Sequence, residues 1–174
     1  MVDESLRNHG DLLMINQQYQ VSFKSGPVVS GDLNVSSHKS HGAACVFEGT
    51  VRDINMGRKV VKLCYDINQR LAQKIILDIC HEASERYNCP QAVVSVIHSW
   101  GELKVGDISV LVRVGTPHRR EAFNIAQYVI DELKHRSPIW KKEFYSDGDS
   151  GWLKGHTLCQ LAHGDSGKES PAPV

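Results

Sequence analysis

The chain has 174 residues and a formal net charge of zero, with 20 Lys and Arg against 20 Asp and Glu. That length suits one domain with a proper core, and the neutral balance argues against a general nucleic-acid binder, which needs a basic surplus to neutralise phosphates. The longest apolar runs are a handful of residues, far short of a membrane span, and MVDESLRNHGDLL lacks the basic-then-apolar order of a signal peptide, so a soluble cytoplasmic protein is expected.

In chain order, residues 1–10 read as a leader and LLMINQQYQVSF as a first strand of weak alternation. Residues 24–41 are rich in Gly, Ser and Pro and read as a long loop with one short turn. AACVFEGTVRD (43–53) reads as a buried strand and KVVKLCYDI (59–67) as an alternating one, with Val61, Leu63, Tyr65 and Ile67 on one face. Turn chemistry at Asn55-Met56-Gly57 makes these two runs the expected hairpin partners. Asn68 caps a helix whose stripe includes Leu71, Ala72, Ile75, Ile76, Ile79, Cys80 and Ala83, and Asn88-Cys89-Pro90 ends it. AVVSVIHSW (92–100) and ISVLVRVG (108–115) are strands, with GELKVGD as the turn between them.

A second helix is expected from an N-cap at Thr116, with Pro117 in its first position and Ser137-Pro138 as its stop. Ala122, Phe123, Ala126, Val129, Ile130 and Leu133 form its apolar stripe. IWKKEFY (139–145) is extended, with Trp140, Lys142 and Phe144 on one face and Ile139, Lys141 and Glu143 on the other. SDGDSG is a turn, WLKGHTL a last short strand, and the remainder has tail composition. The order β-β-α-β-β-α-β-β, with short connections, predicts an α+β domain of two main helices on a largely antiparallel sheet.

Cys45, Cys64, Cys80, Cys89 and Cys159 form no C-x-x-C pair and are expected as buried, reduced thiols. The nine histidines show no zinc-ligand spacing, so no metal is expected. Phosphate-loop, dinucleotide and nucleophile-elbow motifs are absent. The distinctive feature is cationic: Arg52 after a strand, His118-Arg119-Arg120 at a helix start, and Lys134, Arg136, Lys141 and Lys142 around its end. Arg120, Arg136 and Lys142 are most simply solvated surface charges. A strand-to-helix junction carrying His118 and Arg119 is an anion site, because free N–H groups and the helix dipole both favour negative charge there. A lysine among apolar neighbours loses solvation, which lowers its pKa and suits acid–base or nucleophilic work.

GAACVFEGTVRDIN, the YDINQRLA helix start, VIHSWGELKVGD, VGTPHRREAF and LKHRSPIWKKE, in this order, closely resemble the large, catalytic subunit of molybdopterin synthase, the MoaE family. The resemblance covers roughly residues 42–153. It implies an α/β hammerhead fold and a dimer, each subunit of which binds a small ubiquitin-like subunit to give a heterotetramer. It further implies sulfur transfer from the C-terminal Gly-Gly thiocarboxylate of that partner to cyclic pyranopterin monophosphate, forming the molybdopterin dithiolene without metal or organic cofactor. The implied catalytic residues are Lys134 and Lys141. The implied substrate contacts are Arg52, His118, Arg119, Lys134, Lys141, Lys142 and Glu143. On this reading residues 1–41 are leader, first strand and loop, 42–154 the catalytic domain, and 155–174 a flexible tail. The chain departs from the family pattern at Asp66-Ile67-Asn68, and near Trp152, where Lys154 stands in place of an arginine. The competing reading is a non-catalytic module that docks a ubiquitin-like partner, which has no need of both Lys134 and Lys141. A small RNA-binding domain is disfavoured by the neutral charge and the lack of an aromatic-basic platform.

Arg119 and Lys134 are fifteen residues apart on one expected helix, or about 22 Å at 1.5 Å per residue. One small pterin cannot touch both. If both serve one site, the simplest geometry is a two-fold dimer that brings His118 and Arg119 of one subunit to Arg52, Lys134 and Lys141 of the other.

Overall fold

A computed structural model describes residues 18–33 and 38–154. The strands are β1 (Tyr19–Ser25), β2 (Ala43–Thr50), β3 (Ile54–Asn55), β4 (Arg58–Ile67), β5 (Val93–Lys104), β6 (Ile108–Thr116), β7 (Ile139–Tyr145), β8 (Gly148–Asp149) and β9 (Leu153–Lys154). The helices are α1 (Gln69–Arg86) and α2 (Arg119–Arg136), with a 3-10 turn at Ser30–Asp32. The main path of the sheet runs β2-β6-β5-β4-β7-β8, with β1 on β5, β3 on β4 and β9 on β7. Its pairings are antiparallel except for β1, which runs parallel to β5 with Tyr19 opposite Val94. The architecture is α+β, as expected from the pattern. Residues 12–17 of the expected first strand and residues beyond 154 of the expected last one lie outside the described residues.

Both helices pack on one face of this sheet through the stripes their periodicity sets. Ile76, Ile79 and Ala83 of α1 and Ile125 and Val129 of α2 are fully buried against Val94, Val96, Val112 and Val114. Each of the larger side chains contributes about 1.5–3 kcal/mol by leaving water. The Asn68 side chain accepts from the Leu71 N–H, as its capping position requires. Asn88, at φ +47, turns the chain out of α1.

Five local expectations are corrected. The run at 43–53 does not form a hairpin with β4. β2 pairs with β6, and the hairpin partner of β4 is the two-residue β3, closed through Met56 and Gly57 at φ +50 and +75. β4 carries a bulge between Val60 and Lys62, so Val61 is 55% exposed while Val60 and Leu63 are both 4% exposed. GELK is strand rather than turn: Gly101, at φ +84, bends β5, and its far half pairs with β4. Helix α2 starts later than Thr116. Thr116 is the last residue of β6, its hydroxyl donates to the His118 carbonyl at 2.8 Å, and extended His118 is the N-cap. Leu71 and Phe123, expected on the α1 and α2 stripes, are 46% and 63% exposed.

Candidate active site

The bend in β5 opens the sheet between its β2-β6 and β4-β7 parts, and the C-terminal end of α2 lies over the gap. A cleft of about 620 Å³ results. Its rim carries Arg52 from the chain leaving β2, Lys134 from the last turn of α2, and Lys141 and Glu143 from β7. The period-two alternation of β7 sends Ile139, Lys141 and Glu143 into the cleft. Beneath the β3–β4 hairpin, Val51, Val60, Leu63 and Leu103 form a separate apolar floor.

Glu143 is the best-held polar group in the cleft. Its side chain is 4% exposed and that of Lys141 15%, and Lys141 Nζ lies 2.5 Å from Glu143 Oε1. The other carboxylate oxygen accepts from Asn55 Nδ2 at 2.7 Å and from the Tyr145 hydroxyl. Burial alone would raise this carboxyl's pKa. The hydrogen bonds from Lys141, Tyr145 and Asn55 outweigh it and hold Glu143 below its ordinary value. Glu143 is therefore a buried anion at neutral pH, and Lys141 sits against it as an ammonium donor. Burial and the bond to Glu143 push the Tyr145 hydroxyl upward. Arg52 Nη2 donates to Asn55 Oδ1 at 3.3 Å, and among the described residues neither Arg52 nor Lys134 has an ion-pair partner.

The inner wall is Tyr65 and His98, their rings edge to face at 4.9 Å. His98 Nδ1 donates to the Ser99 carbonyl at 2.7 Å, which fixes the proton on that nitrogen. Burial drives its pKa down to about 4, against the opposing effect of that hydrogen bond, so the ring is neutral. Burial also raises the Tyr65 hydroxyl.

The remaining sequence candidates lie elsewhere in this chain. His118 and Arg119 begin α2 at the end opposite Lys134, and neither lines the cleft. Lys142 faces the other side of β7, 2.8 Å from Asp149 and against the Phe144 ring. Its expected substrate contact therefore lies outside this cleft, because adjacent residues in a strand point to opposite faces. The four described cysteines are unpaired. Cys80 and Cys89 are buried, as expected, whereas Cys45 and Cys64 are only partly so. Burial raises all four thiols, Cys80 to about 12, which leaves no activated thiolate among them. No group of His, Cys, Asp and Glu among the described residues is placed to hold a metal ion. Four site residues escaped the sequence reading: Asn55, Tyr65, His98 and Tyr145. Tyr145 was within reach, since it continues the 139, 141, 143 alternation. Asn55 and His98 carry no local signal, because their roles come from strand pairing.

Fold and cleft together define the class: an α+β protein with a lysine- and arginine-rimmed cleft, in which a buried carboxylate holds one lysine in place. The sequence pattern described as MoaE protein matches residues 26–136. A molybdopterin synthase catalytic subunit from Synechococcus elongatus is 38% identical over 162 residues, covering 92% of this chain and 98% of that relative. The crystal structure of molybdopterin synthase from Staphylococcus aureus superposes with a TM-score of 0.69 at 32% identity, covering 75% of this chain and 94% of that one. The fold is shared with a complex of subunits 1 and 2 of molybdopterin-converting factor from Helicobacter pylori, at TM-score 0.59 and 24% identity, covering 74% of this chain and 87% of that one. The chain belongs to the MoaE family.

Proposed function

We propose that this protein is the catalytic subunit of a molybdopterin synthase, a transferase of molybdenum-cofactor biosynthesis working in the cytosol. In this reading it moves sulfur from the thiocarboxylated Gly-Gly terminus of a small ubiquitin-like partner to cyclic pyranopterin monophosphate. Family membership supports the biosynthetic role. The observation that carries the chemistry is the meeting of Lys134 and Lys141 in one cleft, with Lys141 anchored on buried Glu143.

The roles follow from position. Attack by a thiocarboxylate sulfur forms a carbon–sulfur bond as a carbon–oxygen bond of the substrate breaks, and water then cleaves the acyl–sulfur bond to leave the tail as a carboxylate. The negative charge that builds and moves is stabilised by ammonium groups at fixed places without reorganising. Lys141, tethered at 2.5 Å, positions the incoming tail and exchanges protons with the reacting centre. Lys134, with no ion pair among the described residues, stabilises developing charge. Arg52 supplies a planar donor fork for the phosphate.

A second subunit completes the site. The charged groups lining one chain's cleft are Arg52, Lys134 and Lys141 against Glu48, Asp131 and Glu143, so they balance. An anionic phosphate needs further cations, and His118 and Arg119 stand at a helix start, where anions bind. In a two-fold dimer those of one subunit reach the cleft of the other, within a heterotetramer that includes two small subunits.

The test mixes the purified chain with thiocarboxylated small subunit and cyclic pyranopterin monophosphate, and follows dithiolene product. Product from wild type and none from Lys141→Ala is expected. Normal turnover by Lys141→Ala would sink the mechanism, and no product from wild type would leave a docking module.

A further inference from the structure

We infer that Asn55 is a positioning residue that couples the arginine side of the cleft to its lysine side. The inference rests on the functional reading above for its consequence, though not for its geometry. Asn55 Oδ1 accepts from Arg52 Nη2 at 3.3 Å, while Asn55 Nδ2 donates to Glu143 Oε2 at 2.7 Å and to the Tyr145 hydroxyl at 3.3 Å. Arginine only donates and a carboxylate only accepts, so the amide has one orientation that satisfies both. Glu143 in turn holds Lys141. One half-buried amide thus links the group proposed to hold phosphate with the group proposed to handle the proton. Its backbone is pinned for this task, because Asn55 pairs with Arg58 across the tight Met56-Gly57 turn.

A wider set of charges acts on Glu143. Lys141 and Tyr145 face it from its own strand, Arg58 and Tyr65 act on it from β4, and Lys134 and Asp131 of α2 line the same cleft. Arg58 lies over the Tyr145 ring at 3.8 Å and is itself paired with Asp147. Among the described residues, Asn55 is the neutral group that joins Glu143 to Arg52. A β3-to-β7 cross-link that merely stabilised the sheet would change the amount of folded protein. A coupling residue instead changes the titration of Glu143 and both kinetic constants.

Removing the amide by Asn55→Ala takes a donor from Glu143 and the acceptor from Arg52. The expected result is a rise in the Glu143 carboxyl pKa, an acid limb of kcat/KM shifted to higher pH, and a loss of about tenfold in kcat/KM, the scale of one hydrogen bond to a charged group. Asn55→Asp keeps the size, and serves if the alanine variant folds poorly. It sets a second carboxylate against Glu143 and should shift the acid limb further. In a Glu143→Gln background the Asn55 substitutions should no longer move that limb. The substrate-free readout is a 13C NMR titration of the Glu143 carboxyl in the whole chain. An unmoved titration in both variants, or equal shifts of the limb with and without Glu143, overturns the coupling. A shifted titration in a chain that makes no product upholds the coupling and overturns the functional reading instead.

Discussion

His98 makes stability depend on pH in a window where few other groups act. Its ring is 4% exposed, packs edge to face on Tyr65, and spends its one N–H on the Ser99 carbonyl. Its pKa is about 4 in the fold against 6.5 in the unfolded chain, so between those values the unfolded state binds a proton that the folded state does not. Stability contributed by the neutral ring is therefore complete above pH 6.5 and lost as pH falls toward 4. At about 1.4 kcal/mol per pH unit, the whole window is worth about 3 kcal/mol. The depressed carboxylates Glu143 and Asp32 act lower, from their ordinary values of 4.5 and 3.8 downward, so the interval above pH 4.5 isolates the histidine. Urea unfolding at pH 7, 5.5 and 4.5 measures the slope, and His98→Asn removes the titration while keeping an N–H for the Ser99 carbonyl. The variant should be flatter across this interval by about 2–3 kcal/mol. An unchanged slope would refute the assignment of a neutral, buried imidazole.

Lys141→Ala should abolish turnover and also destabilise the fold by about 3–5 kcal/mol, because it leaves Glu143 buried without its ammonium; adding Glu143→Gln should restore part of the stability, read by urea denaturation, without restoring activity. Gly42→Ala places a methyl 2.7 Å from the Pro117 carbonyl, and should cost about 1–3 kcal/mol by forcing the β6–α2 junction apart; chemical denaturation checks it. Mixing an Arg119→Ala chain with a Lys141→Ala chain should recover part of the activity, since half the mixed dimer's sites would then be intact. No recovery in mixtures shown to exchange subunits counts against a shared site.

Elements whose pattern is local were legible in the sequence. The Asn68 cap, most of the two buried helix stripes and the alternation of β7 all follow from spacing, and that alternation puts Lys141 and Glu143 on the opposite face from Lys142. Partners across the sheet were not legible. Nothing near β2 says that its ladder belongs to β6, 61 residues further on at Gly49 and Val110, or that β1 joins in parallel. The bulge at Val61 inverted a face because one extra residue breaks a period of two. The same blindness hid half the site. Arg52 and Lys141 stand out as charges, but Asn55 joins the cleft only when the β3–β4 hairpin carries it to β7, and His98 only when β5 bends beneath α2.

The length of α2 constrains how such a site can be built. Its 18 residues run from Arg119 to Arg136, and its stripe is locked into the core by Ile125 and Val129, both fully buried. The helix is therefore a rigid strut of about 27 Å, and placing Lys134 in its own subunit's cleft fixes where Arg119 emerges. Two-fold symmetry then leaves no independent choice: whatever distance carries Arg119 to the neighbouring cleft carries the neighbour's Arg119 back to this one. Both sites gain their extra cations together or neither does. On the proposed reading, because the charges lining a single cleft balance, an isolated subunit would meet the anionic phosphate without net attraction, and affinity for that substrate would be a property of the dimer. In that same reading, Arg52 and Lys141 prepare the chemistry within one chain, and the far end of the neighbour's helix supplies the remaining charge.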